Sequence, residues 1–294
     1  MKSGWLLISC LLYISLLSSA KTFTREYSYN AGEADSKSSS RAIALDQVKR
    51  ILLEEIGVYL KSEFTTTKEE NGDSYNEVSS LQIQSITGHI TETKIIEEKW
   101  NGETYYIKAS ISVDPDEVSK KITAIGTNKN KLREIEDVKR KNDEAASELA
   151  RLRKELANAT TETKRLAIQK EYTVASEILS ATDWFEKGYR AYNSNDLDNA
   201  IIYYQQAIKL NPNVYEVYNN LALSYKNKGY ADKAIQYFEK AIELNPQNPD
   251  PYINLGKAYY DKGNFEKKVF YTKKAAILGD EEARRWLKQN GYTW

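Results

Sequence analysis

Adjacent acidic residues are the first side chains in this sequence that could do chemistry, because two carboxylates held close together can act as general acid and general base. The pairs are Glu54-Glu55, Glu69-Glu70 and Glu97-Glu98. Neighbouring residues on a helix or a strand point away from each other, so these pairs do not converge on one substrate bond. We interpret them as solvated charge. An enzyme of this kind would need a carboxylate cluster in a deep cleft of the N-terminal part.

The single histidine, His89, is the other candidate for catalysis or metal binding. The sequence places it at the start of a hairpin strand, without nearby cysteines that could complete a zinc site. Gly-rich phosphate loops and the Gly-x-Ser-x-Gly motif of hydrolases do not occur. We therefore predict a structural role for His89, no metal, no cofactor, no catalytic residue, and a chain that is not an enzyme.

Two asparagines, Asn220 and Asn254, are better candidates, because amide side chains can bind a peptide backbone. They lie 34 residues apart, and the same period relates Pro212 to Pro246. A period of this length with small residues at fixed places is typical of stacked helix-turn-helix units, which bury a core only by stacking. The last third of the chain is therefore predicted to be an array of paired helices that binds partners.

The repeating residues resemble the tetratricopeptide repeat family over residues 181–282. The first unit matches the family pattern at Trp184, Gly188, Tyr192, Ala200, Tyr204, Ala207 and Pro212. The second matches at Tyr218, Leu221, Ala222, Tyr225, Gly229, Ala234, Phe238, Ala241 and Pro246, and the third at Tyr252, Leu255, Gly256, Tyr259, Gly263 and Ala275. The resemblance implies an all-α solenoid of three repeats over residues 181–294.

The third unit departs from the family pattern. Lys268 stands in place of an alanine, Thr272 in place of an aromatic residue, and Gly279-Asp280 in place of Asn-Pro. We interpret these changes as the edge of the array, where a last helix over residues 283–289 serves as a cap. Trp286 and Leu287 are predicted to cover the third unit.

In this family the first helix of each unit lines a concave groove that receives a peptide. The resemblance implies a lining of Phe185, Glu186, Tyr189 and Tyr192 from the first unit, Asn219, Asn220, Leu223 and Lys226 from the second, and Asn254, Lys257, Tyr260 and Asp261 from the third. Some relatives hold a terminal carboxylate with lysine, arginine and asparagine. Phe185 and Tyr189 replace polar residues of that set, so a C-terminal carboxylate is not the first choice of ligand.

The N-terminal part, residues 21–125, is predicted to be a small α+β domain. Phe23, Tyr27 and Tyr29 indicate a strand, and residues 41–61 carry an apolar stripe typical of a helix on a core. Two β-rich runs flank Asn101-Gly102, which favours a type I′ turn. The second run alternates in residues 105–113, so one face should be buried under the helix at residues 41–61. A weaker helical pattern carries Val78, Leu81, Ile83 and Ile86.

This domain is similar to the α+β domain of bacterial envelope lipoproteins and periplasmic flagellar assembly proteins. The similarity lies in the helix entry from Gly32-Glu33-Ala34 to Arg41-Ala42, in the helix with Glu54-Glu55, and in the hairpin at Trp100-Asn101-Gly102. It implies a location in the bacterial cell envelope.

A charged segment, predicted as a helical or coiled-coil linker over residues 126–178, joins the two parts. The a and d positions of its heptads are Ile135, Val138, Ala145, Leu149, Leu152, Leu156, Ala159 and Leu166, with Asn142 and Thr163 at two further a positions. Such a narrow seam favours another helix as its partner, and thus a homo-oligomer. The alternative is a connecting helix whose stripe lies on a neighbouring domain of the same chain.

Residues 1–20 have the pattern of a secretory signal, with Lys2, an apolar run, and small residues before Lys21. The mature chain is therefore predicted to be periplasmic and to lack a transmembrane span. Lipid anchoring through Cys10 is the alternative, since Leu7-Ile8-Ser9 before it resembles a lipoprotein cleavage site. Forty-two basic and forty-two acidic side chains cancel, which argues against a nucleic-acid partner.

These observations predict an exported, non-enzymatic adaptor of the bacterial envelope that binds a protein or peptide segment in its repeat groove. The alternative is a structural envelope component that assembles with itself through its heptad helix.

Overall fold

The computed structural model describes residues 20–71, 80–126 and 129–294, with the side chains of residues 65–71, 80–81, 126 and 129–131 left out. Several predictions fall outside this description. They concern the signal at residues 1–20 (except Ala20) with Cys10, the residue Val78, and the side chains of Leu81, Glu69 and Glu70. Within the described ranges, no helix combines the length and the apolar character needed to cross a bilayer.

Three antiparallel strands form a sheet in the order β1-β3-β2, with β1 at Lys21–Asn30, β2 at Thr93–Trp100 and β3 at Thr104–Val113. The alternation predicted for β3 is confirmed, because Tyr105, Ile107, Ala109, Ile111 and Val113 are all buried.

The hairpin between β2 and β3 differs from the predicted type I′ turn, which needs positive φ at both central residues. Of the two, only Gly102 has a positive φ, of 101°. Asn101 instead accepts hydrogen bonds through its side-chain oxygen from the backbone N–H groups of Glu103 and Thr104. The amide side chain closes the turn together with the backbone N–H of Asn101, which donates to the carbonyl of Thr104 at 3.4 Å.

Helix α1 (Lys37–Asn71) packs across the sheet with the apolar stripe that the sequence predicts. Leu45, Val48, Leu52, Ile56 and Leu60 are buried in one core with the inward residues of β1 and β3. The stripe recurs every three or four residues, so one side of the helix remains on the core over four turns.

Two shorter helices complete this domain, α2 at Ser80–Ile90 and α3 at Pro115–Gly126. The prediction that His89 starts a strand is wrong, because α2 continues to Ile90. Thr91 ends that helix by donating both its backbone N–H and its hydroxyl to the carbonyl of Thr87. The predicted start of α3 is confirmed, with Asp114 accepting from the first free N–H groups of the helix.

The heptad segment folds as two antiparallel helices, α4 (Lys129–Ala157) and α5 (Glu162–Asn193), and not as one continuous helix. The predicted seam residues of α4 are buried, but against their own chain. Leu149, Leu152 and Leu156 share a cluster with residues of α5 and α1. Leu166 is 57% exposed, because the chain reverses at residues 158–161 and the heptad register does not continue through the turn. The helix that pairs with the seam is therefore α5 of the same chain.

Helix α5 has a double role, since its C-terminal half is also the first helix of the repeats. It pairs with α6 (Leu197–Leu210), and the next pairs are α7 (Tyr215–Asn227) with α8 (Ala231–Leu244) and α9 (Pro249–Asp261) with α10 (Phe265–Ile277). Gly188 allows α5 and α6 to pack closely, because a Cβ at this position would lie 2.6 Å from the ring of Tyr204 on α6.

A last helix, α11 (Glu281–Gln289), covers the third pair as predicted. Leu287 is fully buried in a cluster with Ala275, Ala276 and Ala283, and Trp286 packs at its border. Asp280 begins the helix by accepting a hydrogen bond from the backbone N–H of Ala283. The array therefore ends in a cap and not in an exposed apolar face.

Candidate functional site

The concave face of the helix pairs, here called the repeat groove, is lined by the C-terminal half of α5 and by α7 and α9. Its twelve predicted lining residues fall into three groups that differ in what covers them. Some lie under α4, some contact the N-terminal domain, and the rest are open.

Helix α4 covers the start of α7. Val138 belongs to the same buried apolar cluster as Phe185, Val217 and Leu221. Lys141 donates to both carboxylate oxygens of Glu216 at 2.9 Å. The groove therefore holds a segment of its own chain at this point.

The two predicted amides of α7 are also covered in this region. Asn220 is almost fully buried and donates through Nδ2 to Glu134 of α4 and to the carbonyl of Glu216. Asn219 is buried and accepts a hydrogen bond from Asn254 of α9 at 3.1 Å. The prediction that the amides of Asn220 and Asn254 reach a peptide backbone at a repeated spacing therefore fails at Asn220, because atoms of the chain itself occupy its amide.

The N-terminal domain contacts three of the four predicted lining residues of α5. Phe185 and Tyr189 are buried, with ring centroids 6.0 and 5.4 Å from the ring of His89 on α2. Glu186 accepts from the ammonium of Lys49 on α1 at 2.9 Å. The first unit is therefore an interface between the two parts of the chain and not a free lining.

Charges at this interface are strongly coupled. Burial opposes the charged form of Lys49, but the carboxylates of Asp183 and Glu186 outweigh it and raise the pKa of Lys49. Burial also acts against the charge of Asp183, yet Lys49 and Lys187 hold its pKa well below the usual range. Lys49 and Asp183 therefore stay ionised at neutral pH, and their ion pair fixes α1 against α5.

Glu216 behaves differently. Burial raises its pKa above the ordinary glutamate value, and Lys141 offsets only part of that effect. The carboxylate is fully buried, while the ammonium that balances it is about one third exposed.

The open part of the groove, defined by Leu223, Lys226, Asn254, Lys257, Tyr260 and Asp261, belongs to α7 and α9. Lys226 and Asp261 form an ion pair across it at 3.3 Å. Lys257 and Tyr260 are exposed, and Leu223 is half-buried. Tyr192 lies at the border, where its hydroxyl accepts a hydrogen bond from Asn227.

Two of the three carboxylate pairs, Glu54-Glu55 and Glu97-Glu98, have described side chains, and the ion pairs of their members go to different cations. Glu55 binds Arg25, Glu97 binds Lys99, and Glu98 binds Arg41. In the part of the chain that the structure describes, no group of three or more His, Cys, Asp or Glu side chains could hold a metal ion.

A cleft of about 490 Å³ lies between α1, α2, α4 and α5, and acidic side chains line it. Arg50 binds Asp46 and Asp143 at 2.7 Å, and Lys49 binds Glu186. The arrangement is a set of ion pairs that join helices, which is a structural use of charge.

Sequence reasoning missed the α4 residues Glu134, Val138 and Lys141 as parts of the groove. It identified Val138 as a seam residue, but a heptad pattern indicates only that a face is buried. The sequence also did not show that Lys268 lies among the rings of Tyr260, Phe265 and Trp286. Trp286 is distant from Lys268 in the sequence, and only the fold brings the two together.

Comparison with protein-family models matches three stretches to the tetratricopeptide repeat, at residues 181–214, 215–248 and 237–270, of which the last two overlap. Residues 181–270 are tetratricopeptide repeats. The first two stretches coincide with the pairs α5–α6 and α7–α8, as the 34-residue period predicts, and the third runs from α8 through α9 into α10. We find no match among curated proteins.

Several solved structures are similar to part of this chain. The tetratricopeptide repeat domain of Arabidopsis OM64 is 23% identical, with a TM-score of 0.36 over 38% of this chain and 95% of that one. The N-terminal domain of stress-induced protein-1 from C. elegans is 23% identical, with a TM-score of 0.35 over 37% and 93%. The first repeat domain of Spaghetti (RPAP3), bound to the HSP90 peptide SRMEEVD, is 22% identical, with a TM-score of 0.35 over 37% and 90%.

Proposed function

We propose that this protein is a non-enzymatic adaptor that binds a segment of another protein in the open part of the groove. Tetratricopeptide repeats are protein-interaction modules. One observation carries the proposal: Leu223, Lys257 and Tyr260 remain accessible on the groove-lining helices, although other parts of the chain cover Phe185, Tyr189 and Asn220.

The proposed location is the periplasm of a bacterium. The pattern of residues 1–20 supports export, and the similarity of the N-terminal part to envelope domains supports the compartment. Mass spectrometry of the N-terminus from envelope fractions tests this, because cleavage after Ala20 and lipidation of Cys10 give different masses.

Self-assembly through the heptads is the weaker candidate. The seam residues of α4 that it requires are buried against α5 and α1. A second copy would have to displace these contacts first.

Capture of partners from bacterial envelope extracts tests the adaptor. The full chain serves as bait, beside a variant with Leu223→Ala and Tyr260→Ala in the open part of the groove. A matched control changes Gln236→Ala and Glu239→Ala, two exposed residues of α8 outside the groove. We expect the groove variant to lose proteins that the control retains. Equal capture by both variants would reject the groove as the binding site.

A further inference from the structure

We propose that the partner segment is acidic and carries an apolar side chain, a statement that rests on the function proposed above. The surface concerned, here called the basic aromatic surface, consists of Lys257, Tyr260, Phe265, Lys268 and Trp286. It continues from the open part of the groove onto α10 and the cap α11.

Lys268 is the centre of this surface. Its ammonium lies 4.1 Å from the ring centroid of Trp286, 4.4 Å from that of Tyr260 and 5.5 Å from that of Phe265. Cation–π contacts of this kind hold a lysine in place without neutralising its charge. The first two repeats have Ala200 and Ala234 at this position, both fully buried. Only the third repeat therefore presents a cation here.

Some lysines near the groove have carboxylate partners in the described part of the chain, and others do not. Lys226 pairs with Asp261, Lys228 with Asp198, and Lys262 with Asp232. Among the residues that the structure describes, neither Lys257 nor Lys268 has a carboxylate partner. These two ammonium groups can bind carboxylates of another molecule without breaking an existing ion pair.

The exposed rings indicate the rest of the partner's chemistry. Tyr260 is 55% exposed and Phe265 is 44% exposed, and they contact each other edge to face with centroids 6.3 Å apart. Aromatic side chains next to cations suit a segment that places an apolar residue between acidic ones. Because Lys257 and Tyr260 lie one turn apart on α9, one face of a helix or an extended segment can reach both.

Fluorescence anisotropy with the full chain tests this proposal. The probe is a labelled peptide of about sixteen residues that alternates glutamate with leucine and alanine, and its analogue has glutamine at every glutamate. We expect the acidic peptide to bind at least fivefold more tightly at about 50 mM salt, and the difference to shrink at about 300 mM because salt screens exposed charges.

The matched variants remove the same net charge at two places. Lys257→Gln with Lys268→Gln should weaken binding of the acidic peptide at least fivefold. Lys267→Gln with Lys274→Gln, on α10 but outside the surface, should change it less than twofold. Equal losses in the two variants would overturn the proposal, since net charge alone would then explain binding.

Two further results would also overturn it. One is equal binding of the acidic and glutamine peptides, and the other is sedimentation with anionic vesicles without peptide binding, which would indicate a membrane surface. If the acidic peptide fails while Leu223→Ala with Tyr260→Ala still abolishes capture from extracts, the adaptor function stands and only the partner's charge is wrong.

Discussion

At the centres of the first two repeats lie two aromatic rings that differ by one oxygen atom. Tyr204 and Phe238 are both fully buried and stand 34 positions apart. The hydroxyl of Tyr204 has no hydrogen-bond partner in the described part of the chain. Burial, together with the nearby Glu134, raises the pKa of this hydroxyl well above its ordinary value. A hydroxyl that gives up water without a new partner lowers stability.

Tyr204→Phe should therefore raise the free energy of unfolding by up to about 1 kcal/mol. Urea unfolding followed by circular dichroism measures the change. Tyr215→Phe is the control, because the Tyr215 hydroxyl accepts a hydrogen bond from Asn248 at 2.8 Å and its removal should destabilise by about 1 kcal/mol. A loss of stability in Tyr204→Phe similar to the control would mean that the hydroxyl is satisfied.

At the scale of elements, α4 is the most consequential helix, because it contacts both the N-terminal domain and the repeats. Leu132 packs against the domain core, while Val138 packs in the core of the repeats. The Lys141–Glu216 pair is the charged part of this contact, and its carboxylate is fully buried. Removing the cation would leave that carboxylate without compensation.

Lys141→Met should lower the free energy of unfolding at pH 7 by roughly 2–3 kcal/mol, a value reduced from that of a fully buried pair because Lys141 is partly exposed. Adding Glu216→Gln should restore most of the loss. Lys139→Met is the control, since Lys139 pairs with an Asp143 carboxylate that is 41% exposed to water, and the change should cost less than about 1 kcal/mol.

The loss should depend on pH in a defined direction. Because the pKa of Glu216 is raised in the folded state, the folded protein binds its proton more tightly than the unfolded chain does. The stability of Lys141→Met should therefore increase as the pH falls from 7 towards the ordinary glutamate pKa. A deficit that stays constant from pH 7 to pH 4 would contradict this explanation.

At the scale of the whole molecule, a small polar cluster joins the sheet to α5. Asp35 accepts from the hydroxyl of Tyr29 at 2.9 Å and from that of Tyr172 at 2.6 Å, and the two hydroxyl oxygens lie 3.1 Å apart. Burial raises the pKa of Tyr29 to about 12, and the Asp35 carboxylate opposes ionisation further. The pKa of Tyr172 is raised as well, chiefly by burial.

Alkaline pH should weaken the contact that Tyr29, Asp35 and Tyr172 make between the sheet and α5. A tyrosine whose folded pKa is raised stabilises the protein below its unfolded pKa of about 10, and the contribution disappears as the pH rises towards 12. Tyr29→Phe with Tyr172→Phe should be less stable at pH 8 but should lose less stability between pH 10 and 11.5. Tyr230→Phe, at an exposed ring, should show the wild-type slope. Equal slopes in all three proteins would contradict the assignment.

Much of this architecture could be predicted from local patterns. The 34-residue period located the repeats, and the stripe of Leu45, Val48 and Leu52 identified the helix on the sheet. The pattern around Val138 showed that a face is buried but not what covers it, because periodicity has no information on distant contacts. For the same reason the sequence predicted an open lining at Phe185 and Asn220, which the chain's own helices cover.

Helix α5 belongs to both the N-terminal part and the repeats, and its length therefore sets the distance between them. Its 32 residues extend about 48 Å at 1.5 Å per residue, from the turn after α4 to the end of the first repeat's leading helix. A molecule that contacts both the sheet and the third repeat must therefore match the separation that α5 imposes on them. Two residues inserted into this rod would rotate the repeats by about 200° about its axis and point the basic aromatic surface in nearly the opposite direction.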